Sequence, residues 1–469
     1  MAPFRRAVIL LMMTVALGAQ PRKAVDGLLD RVKGLPPEFA AGLILHVEMV
    51  VNKLPPKERI ALYEEAFRMA AYAELATPLQ GTGFHTDTRP GVRQMASETG
   101  LDSLSLQYRA MLRIKTLDPS RLQRMFRDMR PLSLQPQSCQ EILRPDLSKW
   151  AGAINLVYHA GFTADERAKE NDIAFVEEQV RSITSPMQLV QLSNILSQAD
   201  GRLLPRVSVA WDAALARVRG DWFAYEYSVG KIGLSRRNAA AFRDYVVAHL
   251  RGVRCGPRWP FRMAQEPEEV TRFNAFAASQ EDLNLQPIDT ATLESTRVDE
   301  SAKLEEFWKS EKSRRLLAEL QWLTHGNRKL PDSERFWTVE ERRSMEWNER
   351  YLGFLKQIDN WSAADEPSPE ANFFMRSRVW LSLVKLVPPG PQRTNAFRSA
   401  ITWLNSSYAD GVVSRAEWWL RAKELLDIAA KEADLLDDLE QFGNPVLSMY
   451  AHVANPRSTM KQGGWAHQP

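Results

Sequence analysis

Cysteine is scarce: the 469 residues contain 2, Cys139 and Cys255. That excludes a disulfide-dense scaffold, and neither residue stands in a CxxC or beside an HxxxH spacing that would mark a metal site. In an oxidising compartment the two pair most simply with each other, so a Cys139–Cys255 disulfide is expected. Glycine is sparse too, at 23 residues, which is low for an active site built from loops. There is no HExxH, no GxSxG elbow and no Walker-type loop. Three ready signatures, of metal-dependent hydrolysis, serine acyl transfer and nucleotide binding, are therefore missing.

An excess of charge of one sign is missing as well. The net charge is +3, or +1 once the two charges of Arg5 and Arg6 are taken from it. A nearly neutral chain lacks the electrostatic footprint of a nucleic-acid or anionic-membrane protein, so no nucleic acid is expected as a partner. No stretch reaches the length of about 18 consecutive apolar residues that a membrane span needs, so none is expected after the N-terminal segment is removed. No cofactor and no dedicated metal is called for.

What is present begins at the N-terminus. Arg5 and Arg6 precede an apolar run, Ala7 to Leu17, and then come the small residues Gly18 and Ala19 ahead of Gln20-Pro21. A basic start, a short apolar core and a small-residue cut site form the layout of a secretory signal peptide. Residues 1–19 are read as that signal, and the chain as exported, either periplasmic or extracellular. No cysteine lies near the cut, which argues against a lipid anchor.

The rest reads as all-α. Ile60, Tyr63, Phe67 and Ala70 recur at steps of three and four and make one apolar helix face. Thr163-x-x-Glu166 is a capping box ahead of a long helix through Phe175, Val176 and Val180. Ser185-Pro186 opens a helix carrying Leu189, Leu192, Ile195 and Leu196, and Asn238 to Leu250 is a further candidate. Leu304, Phe307, Trp308, Leu316, Leu320 and Leu323 mark another. Ser368-Pro369-Glu370 starts one with Phe374, Val379, Trp380, Leu383 and Leu386, and Gly443 with Pro445 ends one through Leu435 and Leu439. Only Val207 to Trp211 is strand-like, and it suits a helix equally. Helices joined by proline-marked turns predict stacked antiparallel pairs, as an irregular α-solenoid or a helical bundle. No fixed repeat period is found.

About 450 residues exceed what one core usually holds, so two helical domains are expected. Residues 20–256 form the first, with the disulfide. Residues 257–297, with Pro257, Pro260, Pro267 and a polar stretch, are read as a linker. Residues 298–454 form the second, and 455–469 a flexible tail. Of the 14 tryptophans, 11 lie at or after Trp259, so the second domain is Trp-rich.

Three places could carry function. The glycine-containing loop from Gln80 to Ala96 holds His85, Asp87, Arg89 and Arg93, which together offer a base, a carboxylate and an anion-binding guanidinium. The segment Ser406 to Glu417 lines up in part with a calcium loop, with Asp410, Ser414 and Glu417 as ligands, but Ser406 and Tyr408 occupy positions that want carboxylates. The same residues describe a glycine-ended helix followed by a capping box. Among Trp337, Trp347, Trp361, Trp380, Trp403, Trp418 and Trp419, the last two are adjacent. On a helix they point about 100° apart, which predicts that one reaches an edge or surface able to grip a sugar or an apolar peptide. His159 is read as a helix-end residue. Glu64-Glu65 and Asp437-Asp438 are read as lying on solvent faces. The expectation is an exported binding or scaffolding module with a protein or glycan partner. The alternative is a glycan-acting enzyme, of helical-toroid or lysozyme-like form, with Trp-lined subsites.

Overall fold

The structure, a computed structural model, describes residues 29–46, 54–73, 95–96, 98–132, 134, 147–198, 201–217, 266–279, 284–289, 310–325, 337–338 and 340–455, with isolated positions 232, 243, 247 and 282. In chain order the helices are α1 (Pro37–His46), α2 (Pro56–Ala70), α3 (Ser103–Lys115), α4 (Leu122–Arg127), α5 (Ser148–Ala160), α6 (Ala164–Ala168), α7 (Asn171–Arg181), α8 (Pro186–Gln198), α9 (Leu203–Arg217) and α10 (Glu266–Ser279). They continue with α11 (Glu311–His325), α12 (Met345–Asp359), α13 (Pro369–Leu386), α14 (Pro391–Asp410), α15 (Arg415–Ala429), α16 (Ala433–Phe442) and α17 (Pro445–Ala454). No strand occurs among the described residues, and the fold is all-α. Val207–Trp211, which suited strand or helix, lies inside α9.

The chain forms two compact units. One comprises Met1–Pro55, His85–Leu101 and Leu304–Pro469, the other Pro56–Phe84 and Asp102–Lys303. The units interleave along the chain, whereas the sequence suggested a simple division into 20–256 and 298–454.

In the unit holding α2 to α10, α2 packs on α3, α3 on α5, α5 on α7 and α7 on α9, with α4 against α5 and α8 against both α5 and α9. The expected inward face of α2 is buried at Ile60, Tyr63, Phe67 and Ala70. The core is mainly aliphatic, built on Ile154, Val176, Val180, Leu189, Leu192 and Val207, with Trp211 and Phe273 among them.

The capping box at Thr163 forms, but the helix it starts is short. Glu170 takes a left-handed conformation, φ 60°, and a new helix begins at Asn171. The break has a visible cause. It brings Arg167 back to Tyr158 O at 2.6 Å and to the fully buried Asp172 carboxylate at 3.1 Å. A buried carboxylate left without such a partner would be costly.

The described part of the stretch expected as a linker is packed. Within 257–297, α10 buries Val270, Phe273 and Ala277 in this core, and Leu285 and Ile288 join it. Asn274 fixes the return, accepting from Ile288 N at 2.8 Å and donating to Ile288 O at 3.0 Å. Its few apolar residues are spaced to one helix face, so low hydrophobicity did not mean exposure. The candidate helix 238–250 lies almost wholly outside the described residues.

The other unit is a two-row stack. α11 packs on α13, α13 on α15 and α15 on α17, while α14 packs on α16 in the second row; α11 also pairs with α12, and successive helices from α13 to α17 pair with one another. That is the contact pattern of stacked helical hairpins. α13 sits in the middle of its row, which explains why it is buried nearly all round, through Phe373, Phe374, Val379, Trp380, Leu383 and Leu386. Helix starts are set locally. Ser344, Ser368, Ser414 and Asn444 accept from the backbone N–H of Trp347, Ala371, Glu417 and Leu447. Pro369, Pro391 and Pro445 each take a first-turn position, where the missing N–H costs nothing. Gly443 ends α16 for lack of space, since a Cβ there would lie 2.5 Å from Leu439 O.

α1 belongs to this unit and closes one end of the stack. Its Phe39 meets α15, and a Cβ on Gly42 would lie 3.0 Å from the Tyr450 hydroxyl of α17. Arg415 of α15 pairs with the buried Glu38 at 2.9 Å. At the C-terminal side, Asn455, expected to open the flexible tail, is fully buried. It donates to Asp437 Oδ1 at 2.6 Å and to Glu440 Oε2 at 3.4 Å.

Candidate functional site

The adjacent tryptophans are the best-defined of the expected sites, and the structure turns both inward. Trp418 is 1% exposed and Trp419 4%. The 100° between them sends Trp418 toward α14, where its ring centroid is 4.7 Å from Tyr408 and its Nε1 donates to Leu404 O at 2.9 Å. Trp419 faces α17, 4.4 Å from Tyr450. Phe39 of α1 lies against both, at 5.9 and 5.3 Å. The expected surface-reaching tryptophan is thus covered by a helix from the far end of the sequence. The others follow suit. Trp347, Trp361 and Trp380 are buried, and Trp337 and Trp403 are half-buried.

At the 410–417 turn the capping description is the one realised. Gly411 ends α14 with φ 62°. Ser414 caps α15, and Glu417 Oε2 accepts from Ser414 N at 3.0 Å and from Ser414 Oγ at 2.7 Å. That carboxylate is turned onto its own helix start, away from Asp410, which is exposed at the end of α14. Among the described residues no group of three or more His, Cys, Asp or Glu is placed to hold a metal ion. His85, Asp87, Arg89 and Arg93, with Cys139 and Cys255, lie outside the described residues.

Of the carboxylates read as solvent-facing, Asp437 is exposed, whereas Asp438 and Glu64 are structural. Asp438 is buried and takes both ends of the Arg398 guanidinium, at 3.1 and 2.8 Å. Such a forked pair adds geometric specificity as well as charge. Glu64 is half-buried and joins Arg121 at 2.6 Å and Arg124. His159 is exposed in the last turn of α5, as read.

Sequence reasoning passed over a polar cluster where α16 meets α17. His452 Nδ1 is 2.8 Å from Glu440 Oε1, and its Nε2 is 3.5 Å from Arg31 Nη1. Ser448 donates to Glu440 O at 2.6 Å, and Asn455 completes the group. A carboxylate-oriented imidazole is the geometry of a general base. Here its second nitrogen faces a guanidinium that precedes α1, so the cluster fastens the N-terminal segment to the end of the stack. The tight turn at Gly443–Pro445, which folds α17 back on α16, was the signal that could have joined Glu440 to His452.

A second feature that sequence reasoning missed is the outer face of α12. Trp347, Tyr351, Phe354 and Ile358 form its buried face, and burial pushes the Tyr351 phenol above its ordinary range. The opposite face carries Met345, 77% exposed, and Leu352, 52% exposed, seven residues apart and so on one line of the helix. Glu349 and Lys356 stand on the same line, exposed. A Cβ built on Gly353 would meet nothing within 4 Å, so the surface beside Leu352 is open. A heptad count over 345–359 run on both faces, and not on the Trp347 face alone, would have revealed it.

Comparison with known proteins adds no identity: no family model, no curated protein and no solved structure matches the chain.

Proposed function

We propose that the chain is an exported binding or scaffolding module that engages a protein partner through an outward helix face of its stacked hairpins. One observation carries this: Met345 and Leu352 stand exposed in line on α12, and neither belongs to the core formed by the described residues. Terminal helices of stacked-helix proteins normally present a polar outer face, so large apolar side chains there mark a contact surface. The disposition of the reactive groups is consistent with it. Glu38, Asp172, Glu417 and Asp438 are engaged in ion pairs and caps that hold helices together. Export rests on the N-terminal nineteen residues, and a periplasmic or extracellular address follows from it.

The test is a thermal-melt panel on the chain from residue 20, against amphipathic helical peptides, oligosaccharides, cell-wall fragments, and Ca²⁺ with a chelator control. A ligand at about 100 times its dissociation constant adds about 2.7 kcal/mol, which a melt resolves. Stabilisation by peptides that is lost in Leu352→Glu is the expected result. Stabilisation by oligosaccharides that survives that substitution would replace the protein partner with a glycan. N-terminal sequencing of the protein recovered outside the cytoplasm should begin at Gln20, and an uncut cytoplasmic chain would overturn export.

A further inference from the structure

We infer that the partner of the α12 face is a second copy of this chain, docked antiparallel across a two-fold axis at Leu352. The inference rests on the proposal that this face is a contact surface and goes on to say what covers it. Its basis is the order of charges along the exposed line: Met345, Glu349, Leu352, Lys356, Asp359. Glu349 lies three residues before Leu352 and Lys356 four residues after it. When two such helices run antiparallel with Leu352 on the axis, Glu349 of each copy falls beside Lys356 of the other. Two reciprocal ion pairs then flank a Leu352–Leu352 contact, with Met345 of each copy opposite Asp359 of the other at the ends. A parallel arrangement would set Glu349 on Glu349 and Lys356 on Lys356, so the charge pattern selects one orientation.

Further observations support it. Glu349 and Lys356 are both exposed, and among the described residues neither is ion-paired within the chain. Seven residues apart on one helix, they stand about 10 Å from each other and cannot satisfy one another. The open space beside Gly353 leaves room for the side chain of the facing Leu352. The seam is one helix long, about 22 Å. That is less than a standard interface, so the dimer is reversible, forming at micromolar concentrations.

The experiment is sedimentation velocity on the full chain from about 1 to about 200 µM, a span that brackets a micromolar dissociation constant. Wild type should pass from monomer to dimer. Glu349→Lys and Lys356→Glu should each weaken association at least about tenfold, because each reverses both reciprocal pairs. The double variant Glu349→Lys/Lys356→Glu should associate as wild type does. An equimolar mixture of the two single variants should form a heterodimer although neither dimerises alone. All are exposed positions, and circular dichroism should show unchanged helicity. A wild type that stays monomeric, single variants that dimerise as tightly as wild type, or a double variant that fails to recover would each overturn the inference. A monomeric wild type that still shows Leu352-dependent stabilisation by peptides would leave the protein-binding function standing and remove only the self-association.

Discussion

Both units are all-α, but their cores differ. The unit of α2 to α10 is packed with aliphatic side chains, and among the described residues the indole N–H of its buried Trp211 has no hydrogen-bond partner. In the unit of α1 and α11 to α17 four tryptophans aim their N–H groups at specific acceptors, while that of the buried Trp322 has none among the described residues. Trp347 donates to Leu323 O at 3.0 Å, Trp418 to Leu404 O at 2.9 Å, Trp361 to Glu366 Oε1 at 3.1 Å and Trp403 to Ser377 Oγ at 3.1 Å. Trp211 fills volume, whereas Trp347, Trp361, Trp403 and Trp418 fill volume and are also pinned to acceptors on neighbouring segments. Such a satisfied buried hydrogen bond contributes about 1 kcal/mol, and its loss leaves an acceptor stranded at about 1–3 kcal/mol. These four hydrogen-bonded tryptophans thus contribute to folding as well as to packing.

The largest expected effect is Trp418→Ala. It removes the indole between Phe39, Tyr408 and Trp419 and should cost about 3–5 kcal/mol, read as a lower urea midpoint. Phe39→Ala should cost about as much. The double variant should cost less than the sum, because the rings share contacts, and strict additivity would show that α1 does not rest on this pair. Next is Asp438→Ala, expected to destabilise by about 1–3 kcal/mol, since it strips Arg398 of a forked partner in a half-buried setting. Smaller still is Leu352→Glu, which should change stability by less than about 0.5 kcal/mol in dilute solution, as a surface change does.

The smallest effect depends on pH. Hydrogen bonding from Lys312 and the Ser362 backbone holds the Asp365 carboxyl below its ordinary range. A carboxyl depressed in the folded state adds stability above its unfolded pKa, and that contribution is lost as pH falls through the folded value. Asp365→Asn should therefore lower the melting temperature at pH 7 by a small margin that vanishes in strong acid. A margin independent of pH would assign the effect to packing.

Much of this was legible in the sequence where the cause is local. The capping residues Thr163, Ser368 and Ser414 and the inward faces of α2, α8 and α13 follow from neighbours within one or two turns. What was not legible depends on distant chain. Nothing near Trp418 announces that Phe39 will cover it, and nothing near Asp438 announces Arg398. The break at Glu170 was hidden for the same reason, since Arg167 is drawn to a carbonyl on α5. The outer face of α12 is a different case. Its spacing was in plain view, but the stronger signal of Trp347, Tyr351, Phe354 and Ile358 on the other face masked it.

The claim that hydrogen-bonded tryptophans such as Trp347 pin the fold while Trp211 fills space is tested most directly by one paired substitution. Trp347→Phe and Trp211→Phe remove the same volume from fully buried sites, but only the first breaks a hydrogen bond. Urea unfolding of both should show Trp347→Phe destabilised by about 1–3 kcal/mol more than Trp211→Phe. Equal losses would contradict it and return the aromatic unit to ordinary hydrophobic packing.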